Sequence, residues 1–130
     1  MGYKLAISGG QCTGKTTLAK ALSKRLDWEV SPEFARIAAA EGYGINHTTG
    51  FISQMRILEL QIRWELLQGQ ESLICDRSTV DTLAYSIEAR RNERMSAEEL
   101  TYLAGAARMW THSYTLHIIP SPRDCRMEDD

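Results

Sequence analysis

The eight residues Gly9-Gly10-Gln11-Cys12-Thr13-Gly14-Lys15-Thr16 constrain this chain more than any other feature. They match the pattern G-x-x-x-x-G-K-[ST] in full. Glycine lets a backbone curl until successive N–H groups point at one centre, which suits the oxygens of a phosphate. The flanking residues agree with that reading. Tyr3 to Ser8 is apolar on consecutive positions, as expected of a strand buried on both faces. Lys15 to Leu26 carries Leu18, Leu22 and Leu26 at helical spacing. A strand, a glycine turn and a helix therefore follow one another, and the helix N-terminus adds its partial positive charge to the turn. In such a cradle Gly9 to Thr17 hold phosphates, Lys15 reaches the β- and γ-phosphates, and the Thr16 hydroxyl ligates Mg²⁺. The alternative, a glycine turn that merely joins a strand to a helix, is disfavoured by this context.

The rest of the chain is consistent with one α/β domain. It has 130 residues, 43% hydrophobic and 25% charged, enough for a real core without staples. Short apolar runs alternate with longer helical patterns, the βαβ signature. Strands are expected at Tyr3 to Ser8, Trp28 to Ser31, Leu73 to Asp76 and Tyr114 to Ile119. Helices are expected at Lys15 to Leu26, Glu33 to Glu41 and Phe51 to Gln68, the last with Ile52, Met55, Ile62 and Leu66 near one face. Val80, Leu83, Ala84 and Ile87 set a fourth helix, and Ser96-x-x-Glu99 is a capping box opening a fifth. A net charge of −2 argues against a nucleic-acid-coating function, which calls for a basic surface. No apolar run approaches the roughly 20 residues that span a bilayer. Leu5-Ala6-Ile7 is too short for a signal peptide, and Ala6 stands where myristoylation of Gly2 asks for Ser or Thr. The three cysteines, Cys12, Cys75 and Cys125, lack metal spacing and read as reduced thiols of the cytoplasm. His47, His112 and His117 form no metal or triad spacing.

Two further segments carry chemistry. Leu73-Ile74-Cys75 ends in Asp76, where a carboxylate at the edge of a neighbouring strand holds Mg²⁺. Arg77 follows it. Hydrolytic motors place a glutamate there to orient water; an arginine instead stabilises charge on a phosphoryl group in flight. That favours transfer over hydrolysis, and the absence of N-K-x-D disfavours a regulatory GTPase. Asp81, one helical turn beyond, is placed to orient Arg77. Glu33 follows the second strand, at the sheet edge where ligands bind in open α/β folds. It can take the proton from an attacking hydroxyl, with Arg36 holding acceptor or phosphate. Equally, Glu33 can be a first-turn helix charge paired with Arg36. Gln54 and Gln61 share a helical face and can bond a base or a nicotinamide-like amide, although solvated glutamines are the simpler expectation. Arg90, Arg91 and Arg94 read as a solvated turn.

Assembled, these residues resemble the P-loop kinase-type domain of the NadR-like group, the ribosylnicotinamide kinases. Ile7-Ser8-Gly9-Gly10 with Thr13-Gly14-Lys15-Thr16-Thr17-Leu18, then Glu33-Phe34-Ala35-Arg36, then Asp76-Arg77-Ser78 with Asp81-Thr82-Leu83-Ala84-Tyr85 carry the likeness. It extends over nearly the whole chain. Glu128-Asp129-Asp130 is similar to the start of a family segment that bears a lid arginine, so the chain is expected to lack its lid and a fifth strand. More distantly, the layout is like that of deoxynucleoside and nucleoside-monophosphate kinases. The resemblance implies a three-layer α/β sandwich with a parallel sheet in the order 2-3-1-4. It implies ATP and Mg²⁺ as cofactors and a small-molecule acceptor such as nicotinamide riboside. Lys15, Glu33, Asp76 and Arg77 are then the catalytic residues. A nucleotide-binding regulatory ATPase without acceptor chemistry is the competing expectation.

Overall fold

The computed structural model describes residues 2–9, 14–44 and 49–120. Four strands form one parallel sheet: β1 (Lys4–Ile7), β2 (Glu29–Val30), β3 (Leu73–Asp76) and β4 (Leu116–Ile118), in the order β2-β3-β1-β4. This is the expected order. Five helices join them: α1 (Lys15–Leu26), α2 (Phe34–Ala40), α3 (Phe51–Leu67), α4 (Thr79–Arg91) and α5 (Ala97–Thr111).

Period-two alternation assigns each strand residue to a layer. In β1 and β3, Lys4 pairs with Leu73, Leu5 with Ile74, Ala6 with Cys75 and Ile7 with Asp76. Ile7 and Ile74 are fully buried on one face with Ala19, Leu18 and Leu22 of α1. Ala6, Leu73 and Cys75 pack on the opposite face with Tyr114, Trp64 of α3 and Trp110 of α5. A second core lies among the helices of that side, where Leu58, Ala89, Met95 and Leu103 meet. By the same alternation, Asp76 stands on the α1 face of the sheet, toward the start of α1. The C-terminal edge of the two central strands thus aims a carboxylate at the residues that follow the glycine turn.

In α3 and α4 the most deeply buried face coincides only in part with the one the apolar pattern marks; Met55 and Ile62 of α3 do pack against the second core. In α4, Ile87 is 39% exposed, and the buried residues are Thr79, Asp81, Thr82, Ser86 and Ala89. Their polar atoms are satisfied at close range. The Ser86 hydroxyl donates to the Thr82 carbonyl at 2.7 Å, and the Thr79 and Thr111 hydroxyls bond at 2.8 Å. In α3, Ile52 and Leu66 are each 64% exposed, while Ser53, Gln54, Leu58, Gln61 and Glu65 are buried. The inward faces of both helices border the functional edge of the sheet, and polar side chains with remote partners occupy them.

Candidate active site

The site is built where β1, β3 and α1 converge. Gly9 and Gly14 both have positive φ, 151° and 76°; no atom lies within 4 Å of a Cβ built at Gly14. Glycine is required there by backbone conformation, not by crowding. Gly14 caps α1, and Lys15 is its first residue. Lys15 is only 7% exposed. Burial first, and then the Arg77 guanidinium, draw its ammonium below the usual lysine range; Asp81, Asp76 and Glu33 oppose that shift. Gly10, Gln11, Cys12 and Thr13 lie outside the described residues, as do Arg123, Cys125 and the tail from Ser121 to Asp130.

The Thr16 hydroxyl donates to Asp76 Oδ2 at 3.0 Å. Two hard oxygen donors from α1 and β3 therefore meet at one point, a set that suits Mg²⁺ sharing its remaining positions with phosphate and water. Among the described residues no cluster of three or more carboxylate, histidine or cysteine side chains forms an all-protein cage. The Asp76 amide is held in turn by Ser31 Oγ at 3.0 Å, and the Ser31 amide bonds the Ile74 carbonyl. Thr17 stands exposed one residue further along α1.

A cavity of about 380 Å³ opens beside this pair, lined by Thr16, Lys20, Ser31, Glu33, Arg36 and Asp76 among others. Glu33 is the N-cap of α2 without a side-chain capping bond. Its carboxylate pairs with Arg36 at 2.5 Å, as the helix-charge reading expects, yet both residues line the cavity, as the acceptor reading expects. Lys20 escaped sequence reasoning; its position one turn after Thr16 on α1 is the signal that marks it. The loops before α3 and before α5 touch, because Arg94 Nε donates to the Thr49 carbonyl at 2.8 Å. Arg94 is thus half-buried between loops, not part of a solvated turn.

Arg77 adopts φ +82°, unusual for a residue with a Cβ. Its guanidinium donates to Tyr85 Oη at 2.8 Å and lies over that ring. Asp81 does not orient it. The Asp81 carboxylate accepts instead from the Ser78 amide at 2.7 Å and from the Gly9 amide at 3.2 Å. The first of these is half of a capping box, and it outcompetes a surface ion pair because it satisfies an orphan helix amide. Asp81 thereby ties the entry of the glycine turn to the start of α4, assisted by a bond of 2.7 Å between the buried Ser8 and Ser78 hydroxyls.

Gln54 and Gln61 are not solvated. They are 3% and 2% exposed. Gln61 Nε2 donates to the Arg77 carbonyl at 3.0 Å and to Tyr114 Oη at 3.2 Å, so its amide nitrogen is committed within the protein. Gln54 Oε1 is buried without a hydrogen-bond partner, a costly state for an amide oxygen.

The AAA_28 family model, described as an AAA domain, matches residues 4–130. The chain belongs to this family. A comparison with curated proteins finds no match. Solved structures do resemble this AAA_28 chain. A NadR protein in complex with NR superposes with a TM-score of 0.72 at 18% identity, covering 91% of this chain and 33% of that one. A NadR protein in complex with NAD and AMP-PNP gives 0.70 at 20% identity, covering 98% and 37%. Deoxyadenosine kinase from M. mycoides, with dCMP and a flexible dCDP bound, gives 0.60 at 18% identity, covering 89% and 62%. The AAA_28 chain thus has the fold of P-loop kinases and spans about a third of the NadR chains it resembles. No described helix is long and apolar enough to cross a membrane.

Proposed function

We propose that this chain binds ATP with Mg²⁺ at Gly9 to Thr17 and transfers the γ-phosphoryl group to a small hydroxylated acceptor, a nucleoside such as nicotinamide riboside. One observation carries the reading. The Thr16–Asp76 pair and the Glu33 carboxylate line one cavity at the C-terminal edge of the sheet, and the buried Lys15 immediately precedes Thr16 on α1. The ligands of the similar structures, NR, AMP-PNP and deoxynucleotides, are of the same chemical class and support it.

The roles follow from the chemistry of the side chains. Thr16 Oγ1 and Asp76 Oδ2 would hold Mg²⁺, which neutralises phosphate charge when bound. Lys15 and the α1 N-terminus hold phosphate oxygens. Glu33 accepts the proton of the attacking hydroxyl once an acceptor displaces Arg36 from it, leaving Arg36 to hold the acceptor. Arg77 leaves Tyr85 to stabilise charge on the group in transfer. Gln54, with its unpartnered oxygen, is the candidate for a base or amide contact. The test is a panel of nucleosides, nicotinamide riboside included, incubated with ATP and Mg²⁺ and read by mass spectrometry. A singly phosphorylated product from one nucleoside class is expected. ADP and inorganic phosphate alone would favour the regulatory-ATPase reading, which the Glu33–Arg36 ion pair also fits.

A further inference from the structure

Arg77 holds a left-handed backbone that residues with a Cβ keep only when their surroundings enforce it. Two hydrogen bonds do so. Its amide donates to the Ile7 carbonyl at 2.9 Å, and its carbonyl accepts from Gln61 Nε2 at 3.0 Å. The first is a continuation of the β1–β3 ladder. The second comes from a helix across the core, and Gln61 is itself held: its Nε2 also donates to Tyr114 Oη. That hydroxyl donates to Glu65 Oε2 at 2.8 Å. Glu65 Oε1 accepts from Lys4 Nζ and from Trp110 Nε1, each at 3.0 Å. A continuous chain of polar contacts, buried at its centre and part-buried at both ends, thus runs from the start of β1 to the residue after Asp76. Leucine or methionine would fill the position of Gln61 without desolvating an amide. The amide is therefore there for what it bonds.

We propose that Gln61 is a positioning residue: through the Arg77 carbonyl it fixes the backbone from which the Arg77 guanidinium reaches a phosphoryl group in transfer. This rests on the reading of Arg77 as the charge-stabilising arginine. Gln61 spends its Nε2 on the Arg77 carbonyl and Tyr114 Oη, and it does not line the cavity beside Asp76. Its loss must therefore act on the transition state and not on ground-state nucleotide binding.

The full chain provides the test, with Mg-ADP as ground-state probe and Mg-ADP with aluminium fluoride as mimic of the planar phosphoryl group, both measured by calorimetry. In Gln61→Met the mimic should bind about fivefold to tenfold more weakly, the worth of one hydrogen bond, with Mg-ADP affinity unchanged. Arg77→Ala should weaken the mimic at least as much, and adding Gln61→Met to it should cost nothing further. Tyr114→Phe, which keeps the ring and releases one anchor of Gln61, should show the same selective loss in smaller degree, and serves where Gln61→Met does not fold. Unchanged mimic affinity in the Gln61 or Tyr114 variant, or a loss that adds to that of Arg77→Ala, overturns the proposal. Wild-type affinity for the mimic in Arg77→Ala instead overturns the reading of Arg77 on which it rests.

Discussion

Lys15 is nearly buried at the first position of a helix, with its charge drawn down by burial and by Arg77. A bound phosphate beside such a lysine would favour its charged form. Lys15→Ala should therefore abolish ATP binding by calorimetry while the far-UV circular dichroism spectrum stays that of the wild type. Wild-type affinity would contradict the phosphate-cradle reading. Glu33 allows a sharper separation, because its two roles differ in size. As a first-turn charge its loss costs stability and little rate. As a proton acceptor it contributes about 10²–10⁴-fold to rate. Glu33→Gln should leave ATP affinity intact and lower acceptor phosphorylation by at least about 10²-fold. Near-normal turnover would reduce Glu33 to the helix charge that its bond to Arg36 already displays. Cys75 makes a third case. Burial pushes its thiol well above the usual range, and Glu65 adds to that. It should resist iodoacetamide at pH 8 in the folded protein and react after denaturation, as peptide mapping would show.

Ser96 and Glu99 form a reciprocal box at the start of α5, with bonds of 3.0 and 2.9 Å. Ser96→Ala should cost about 0.5–2 kcal/mol in urea unfolding and leave nucleotide binding alone, because α5 packs on the face of the sheet opposite α1. The end of α2 is tied to α3 by Glu41 and Arg56, with bonds of 2.9 and 2.6 Å. The bond to Arg56 lowers the Glu41 carboxyl below its ordinary 4.5. A depressed carboxylate stabilises above its unfolded value and loses that contribution as pH falls through the folded one. The difference in melting temperature between wild type and Glu41→Gln should thus shrink on acidification below about pH 4.5. What could be read in advance differs among the elements. α1 and β3 fall at the expected residues because glycine, lysine and a strand-ending aspartate punctuate them. The Thr16–Asp76 contact was legible for the same reason. The inward faces of α3 and α4 were not, because apolar periodicity sees only apolar side chains. Gln61, Glu65 and Asp81 are buried for partners up to 72 residues away in sequence, and nothing local announces such pairings.

Across the whole molecule, the parallel sheet, with α1 on one face and α3 to α5 on the other, serves to bring separate chain segments to one edge. Thr16 comes from the start of α1, the Asp76 carboxylate from the end of β3, and the Glu33 carboxylate across the cavity from the start of α2. In the proposed function, Arg77 rather than glutamate after Asp76 is the residue that favours transfer to an acceptor over hydrolysis. The most direct test is the rate of ADP release from ATP and Mg²⁺ with and without each nucleoside of a panel. The account predicts slow release without acceptor, strong acceleration by one nucleoside class with equal formation of phosphorylated nucleoside, and loss of both in Lys15→Ala. An undiminished release of ADP that no nucleoside alters would contradict it.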